Sequence, residues 1–407
     1  MTNFKVYSYP NNKINCVSFA LVCKRGAMHE KEEEMGITHF VEHLCFRKAG
    51  TLNQTQIYSF FEENGVDLWG RTGKNFVEFY FSCRPQVFED LIKLFAKMWF
   101  ETDYSQEDID SEKRVILNEI AISDQTNTDI ILDKLWRNRL LCCNVLGTEY
   151  YVQSFSLEQI VDYKKRMLSS NTAIVVSGNF TNNHLRTIKN EFVNNFVPIE
   201  EEVAVDYVDK PLVKDKLIFV KDGLSAIDVH FSFHTTIGND KNKFIEAIAL
   251  DDVLFRGNSG YLVEILREKL GYIYEIESTL RWAEGELCWD AKLCCNQSDV
   301  KDIVILVENL LLDYVPTDAH LKYIKAFYYD NLPMLQDDPK AVRNCVVNGI
   351  VAINEEITLE DFAQLCAKPS AEQLKMLLNE FLANKHVHVF GNVPKKAKKE
   401  LKKHFES

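Results

Sequence analysis

No stretch of this 407-residue chain reaches the roughly 18 uninterrupted apolar residues that cross a bilayer, so no membrane-spanning helix is expected. No Cys-x-x-Cys occurs among its eleven cysteines, which argues against a structural zinc ribbon or a thioredoxin-like redox motif. The expectation is free, mostly buried thiols of a reducing cytoplasm, including the adjacent pairs Cys142-Cys143 and Cys294-Cys295. Positive charge is in deficit. A net charge of −13 argues against nucleic acid as the main partner, though it would suit a basic peptide. Residues 1–10 have no apolar core behind a basic start and are not Arg-rich, so no targeting segment is expected and the localisation read from sequence is cytoplasmic. Gly257-Asn258-Ser259-Gly260 lacks the Gly-Lys-Ser ending of a phosphate loop and reads as a turn or helix lead-in.

What is present is an ordinary globular composition, 46% hydrophobic and 26% charged, in a chain long enough for two domains. Residues 5–8 and 16–23 alternate around Pro10-Asn11-Asn12-Lys13 and read as a hairpin. Glu32, Glu33 and Glu34 precede an apolar helix, where they are either helix-terminal charges or a solvated acidic loop. Helical patterns follow at 55–64, stopped by Gly65, and at 86–101 and 106–123, with a strand at 76–81. A strand at 171–178 leads through Asn179 into another helix, and this unit recurs. Gly178-Asn179 and Gly391-Asn392 stand 213 apart (391 − 178), as do the helix ends Phe192 and Phe405. A second echo pairs the segment Glu42 to Arg47 with Asp251 to Arg256, at an offset of 209 (251 − 42). Two homologous halves, 1–205 and 206–407, are therefore expected, each α+β with helices layered on a sheet. Charges cluster at the boundary, 198–215.

Chemistry concentrates in His39-Phe40-Val41-Glu42-His43, an H-x-x-E-H pattern on a predicted helix. Residues four apart share a helix face, so His39 and His43 can hold one zinc ion while Glu42 stands beside them. Catalytic zinc takes three protein ligands and keeps one position open. Glu119, on a separate amphipathic helix, is the candidate third ligand. Glu112, two turns earlier on nearly the same face, is placed to orient a ligand. At the position matching His43 the second half carries Asp252, so only the first half can build this site.

These residues resemble the pitrilysin (M16) metallopeptidases, specifically half-size members similar to mitochondrial processing peptidase subunits and bacterial M16B peptidases. Glu119 follows His43 by 76 residues (119 − 43), the family's place for the third ligand, and Glu112 matches its additional glutamate. Arg267 and Tyr274, in Leu266-Arg267-Glu268-Lys269-Leu270-Gly271-Tyr272-Ile273-Tyr274, resemble the second-domain signature that binds the substrate backbone. The resemblance implies two homologous α/β-sandwich halves forming a clamshell, the LuxS/MPP-like metallohydrolase fold. It implies a Zn2+ endopeptidase acting on unfolded or short precursor (leader) peptides, bound as an added strand inside a closed chamber. Glu42 would be the general base, with Arg267 and Tyr274 stabilising substrate and oxyanion. A homodimer, or a heterodimer with a related chain, is implied as well. The rival is a non-catalytic or partner-dependent subunit; such chains typically lose ligands that are present here.

One departure stands out. The family's substrate-edge strand carries an Asn-Ala pair where this chain has Trp69-Gly70, so Trp69 either adds bulk near the cleft or packs in the core. His230, His234, His386 and His388 alternate on expected strands and read as core or surface histidines. Residues 395–403 read as a solvated lysine face. The metal itself stays open to manganese or cobalt.

Overall fold

The computed structural model describes residues 3–123, 131, 144–198, 216–220, 226–274 and 276–406. Two five-stranded sheets divide these residues. The first is built from β1 (Phe4–Pro10), β2 (Val17–Cys23), β5 (Trp69–Thr72), β6 (Val77–Cys83) and β7 (Thr172–Gly178), in the order β1-β7-β2-β6-β5. Strands β3 (Lys48–Ala49) and β4 (Leu52–Asn53) make a separate short ribbon. The second sheet uses β8 (Leu217–Val220), β9 (Ile227–Thr236), β10 (Ile276–Ala283), β11 (Glu286–Cys295) and β12 (Lys385–Phe390), in the order β10-β11-β9-β12-β8. In each sheet the first strand pairs parallel with the last, and every other pairing is antiparallel. The topologies coincide, as the internal repeat requires. The boundary expected at 205/206 lies outside the described residues.

The repeat also has a physical anchor. Gly178 and Gly391 end β7 and β12 with φ of +103° and +121°, a region that penalises any Cβ. At Gly178 a Cβ would come 2.2 Å from the Cys16 carbonyl oxygen, and at Gly391 it would come 2.8 Å from Ile227. Each glycine thus lets the last strand of its half cross the start of its neighbour.

The expected hairpin is not formed. β7 lies between β1 and β2, pairing parallel with one and antiparallel with the other. All seven residues of β7 and of β2 are buried, so both strands take central positions and leave the less buried β1 at the edge.

Helices α1 (Ile37–Leu44), α2 (Gln54–Glu63), α3 (Pro85–Phe100) and α4 (Gln106–Ser123) follow the expected pattern, and α5 (Leu157–Leu168) joins them without having been expected from the sequence. One face of the first sheet, with Phe19, Leu21, Phe79, Phe81, Ile174 and Val176, packs into a core shared with Phe40, Phe88, Phe95 and Tyr163 of these helices. Helix α6 (Lys241–Phe255) contributes to the corresponding core of the second half, around Phe231, Phe233, Leu250 and Trp289.

The opposite face of the first sheet is covered from the second half. Helix α7 (Pro339–Ile353) places Val346, Val347, Ile350 and Val351 against Ala20, Val22, Ala173 and Val175. Polar contacts reinforce it: Ser177 donates to the Pro339 carbonyl at 2.6 Å and Arg343 to Ser18 at 2.9 Å. In the other direction, Ile131 of the first half is buried beside Ala283, Cys288 and Phe390 of the second sheet. The histidines of β9 and β12 are buried strand residues, with His230 hydrogen-bonded to Asp290 and His234 to Glu286. No disulfide joins the cysteines among the described residues, most of which are buried, while Cys142 and Cys143 lie outside those residues. Helix α8 (Lys395–Glu406) closes the chain, anchored in the core by Leu401. Among the described residues no helix is long and apolar enough to cross a membrane.

Candidate metal centre

Helix α1 begins at Gly36, whose φ of +92° and close approach to Gly147 leave no room for a side chain. The carboxylate at this helix start is Glu30, which accepts from the Gly36 and Thr38 amides at 2.8 Å each. Burial pushes the Glu30 carboxyl up to about 7 against the lowering effect of those bonds. The three glutamates singled out from the sequence act otherwise: Glu34 is buried and paired with Arg166, while Glu32 and Glu33 are exposed.

One turn into α1, His39 and His43 project side by side, their ring centroids 4.5 Å apart. Both Nε2 atoms face Glu119 of α4, whose Oε2 lies 3.7 Å from His39 and 3.6 Å from His43. Two donors each about 2.0–2.1 Å from a tetrahedral zinc are roughly 3.3–3.4 Å apart, so these spacings suit one shared ion. His39 is buried and makes no hydrogen bond among the described residues, its Nδ1 being enclosed without a partner. An imidazole in that position lacks a partner unless a cation takes its other nitrogen. Burial, and then the neighbouring His43, push its pKa down to about 3, which favours the neutral form that ligates metals. Two imidazoles and a carboxylate form a donor set that fits catalytic zinc, which takes three protein ligands.

Glu42 lies next to the donors, its Oε2 4.0 Å from His39 Nε2. The donor atoms of His39, Glu42 and His43 fall within 4.8 Å of one another. Burial raises the Glu42 carboxyl to about 7. Strand β5 holds it: Thr72 donates to Glu42 Oε2 at 3.2 Å, and Gly70 makes space, since a Cβ there would come 2.0 Å from Glu42 Oε1. Glu112 accepts the other His43 nitrogen at 2.8 Å and is itself held by Arg47. Burial disfavours both charges, yet this pairing leaves the His43 pKa raised and the Glu112 pKa lowered.

Five of the sequence-identified residues thus come together: His39, Glu42, His43, Glu112 and Glu119. Arg267 and Tyr274 form a pair of their own, the guanidinium 5.7 Å from the ring centroid. Arg267 also donates to Asn258, and Tyr274 is 84% exposed in the loop before β10. Among the described residues neither has a hydrogen bond, ion pair or ring contact with His39, Glu42, His43 or Glu119. Trp69 is 56% exposed on β5, so the core-packed alternative does not hold.

Arg47, Thr72 and Glu30 were not read as functional from the sequence. Arg47 had a signal, because the repeat matches it to Arg256. In the second half Arg256 bonds Asp252 at 3.0 Å and Tyr328 donates to the same carboxylate. The half without a metal motif fills that place with a satisfied carboxylate.

Comparison with known proteins bears on both halves. Residues 5–149 match the family described as Insulinase (Peptidase family M16), and residues 154–326 match the Peptidase M16 inactive domain. The chain is 25% identical to an uncharacterized zinc protease of Rickettsia felis over 286 residues, 67% of this chain and 66% of that protein. It is 23% identical to the uncharacterized zinc protease YmxG of Bacillus subtilis over 274 residues, 66% of each. The matched stretch is therefore just under two thirds of those relatives' own length. A protease structure from Helicobacter pylori superposes with a TM-score of 0.81 at 18% identity, covering 95% of this chain and 96% of that one. The fold is that of the M16-like peptidases, a clamshell of two similar α+β halves. With both of its halves matched, the chain belongs to peptidase family M16.

Proposed function

We propose that the chain is a zinc-dependent endopeptidase for unfolded peptides or short precursor (leader) peptides. One observation carries the reading: His39, His43 and Glu119 converge at metal-ligand spacing, with Glu42 held beside them against the unpaired edge of a sheet. His39, His43 and Glu119 would hold the ion, and Glu112, steadied by Arg47, would fix the His43 ring. When bound, zinc supplies Lewis acidity that polarises a carbonyl and makes water nucleophilic at neutral pH.

The chain's own residues do the rest. An extended peptide adds to the outer edge of β5, held by backbone hydrogen bonds that tolerate many sequences. Glu42 accepts a proton from the attacking water at a carboxylate oxygen and delivers it to the departing amine nitrogen. Arg267 and Tyr274, exposed and free of the metal ligands, bind the peptide backbone and the developing oxyanion. Two such chains, identical or related, would enclose the chamber in which unfolded peptides are admitted and folded proteins excluded.

A second reading has specific support. Because Arg267 and Tyr274 do not contact the metal-site residues, a partner subunit is needed if they do not reach the peptide. The test compares wild type with Glu42→Gln on a mixed unfolded-peptide library, with metal content determined on both. Cleavage that drops about 10²–10⁴-fold in a variant retaining one zinc supports the peptidase. Zinc bound without cleavage in wild type supports the partner-dependent reading, and no zinc in either defeats both metal assignments.

A further inference from the structure

Strand β5 presents two different faces to any peptide lying along its outer edge. Gly70 and Thr72 point toward α1, one clearing space for Glu42 and the other donating to it. Side chains alternate along a strand, so Trp69 and Arg71 point to the opposite face. That face is not core at Trp69, which stands 56% exposed at the end of the sheet. Directly across the ladder from it is Tyr80 of β6, half-buried. The guanidinium of Arg343 sits 4.7 Å from the Tyr80 ring centroid on this side. Arg71 lies on the same face, paired with the buried carboxylate of Glu78 at 2.6 Å. The strip therefore offers a large exposed indole with an aromatic neighbour, and its two cations already have partners.

We propose that Trp69 is the specificity-determining residue of the edge strand, selecting aromatic or large apolar side chains at alternate positions of a bound extended peptide. The inference rests on the reading of β5 as the peptide-binding edge. A peptide strand added there puts every second side chain on the metal face and the remainder on the Trp69 face. An aromatic or branched side chain beside Trp69 removes apolar surface of both partners from water. A lysine or arginine in the same place would meet the exposed guanidinium of Arg71. Selection through Trp69 is thus separate from the chemistry at Glu42, which lies against the neighbouring Gly70 on the other face.

The test uses full-length chains loaded with zinc. Glu42→Gln, alone and combined with Trp69→Ala or Trp69→Phe, is immobilised and offered a mixed library of unfolded peptides, and the captured peptides are sequenced. Cleavage sites made by the Glu42 chain are profiled on the same library. The expected result is an enrichment of about three- to ten-fold in Phe, Tyr, Trp and Leu at every second position. It disappears in Trp69→Ala, persists largely in Trp69→Phe, and leaves metal content unchanged. Equal enrichment with and without Trp69, enrichment in basic residues, or no capture of any peptide overturns the inference. Trp69-dependent capture without cleavage by the Glu42 chain upholds it and instead rejects the peptidase reading.

Discussion

At the scale of single residues, the centre depends on side chains that never touch the proposed ion. Gly70 is a case of space rather than chemistry. Its missing Cβ leaves room for Glu42 Oε1, so Gly70→Ala must displace the carboxylate or the strand. Cleavage is expected to fall about 100-fold, the order of loss for a 1 Å misplacement, while zinc content stays at wild-type level; unchanged cleavage would show that the Glu42 position tolerates movement. Glu112 acts through His43. Glu112→Gln keeps a group that can accept from the ring but removes the charge, and metal affinity is expected to fall about 10–100-fold by competition with a chelator. Spacing made His39, His43, Glu112 and Glu119 legible, because each lies on a helix whose period fixes which residues share a face. Gly70 and Thr72 reach the site from β5, a separate segment, and no local pattern announces such contacts, while Arg47, four residues after His43, had only the signal of the repeat.

At the scale of elements, α1 is fixed at its start by a loop that the sequence makes look merely acidic. Glu34, buried, pairs with the half-buried Arg166 of α5 and ties this loop to the helix layer. Burial works against the charge, but the Arg166 bond outweighs it and holds the Glu34 carboxyl below its ordinary value of 4.5. A carboxyl lowered in the folded state adds stability that is present above 4.5 and lost as pH falls through its folded value. Arg166→Met should therefore cost about 1–2 kcal/mol at pH 7, and the gap from wild type should narrow as pH falls below 4.5 and through the folded value. Urea denaturation at neutral and acid pH checks this, and a gap that persists in acid points to packing instead. The lengths and types of α2, α3, α4, β6 and β7 follow from residue pattern. The pairing of β1 does not, since a turn-like Pro10-Asn11-Asn12-Lys13 cannot announce that β7, beginning 159 residues later (172 − 13), will enter between β1 and β2.

At the scale of the whole molecule, the halves are interlocked. Helix α7 supplies the apolar cover for the first sheet, and Ile131 packs on the second. Neither sheet is fully covered by its own half, so the described residues should unfold in one cooperative transition. Val347, 1% exposed at this interface, is the position to probe. Val347→Asp buries an unpaired carboxylate there at a cost of about 3–5 kcal/mol. Calorimetry is expected to show a lower, broadened or split transition; a single unshifted peak would mean the interface contributes little.

The sequence by itself made legible the duplication, the α+β alternation, the motif helix and the residues proposed to hold zinc, all of which are written in spacing along the chain. Only the tertiary structure decided that Glu30 rather than Glu32 to Glu34 caps that helix, that Trp69 faces solvent, and that β5 cradles Glu42. It alone showed that Arg267 pairs with Tyr274 without contacting His39, Glu42, His43 or Glu119 among the described residues, and that each half covers part of the other's sheet. The physical reason is range. Helical and strand periodicity are set by neighbours a few residues away, whereas these contacts join segments brought together only when the two cores bury their surfaces.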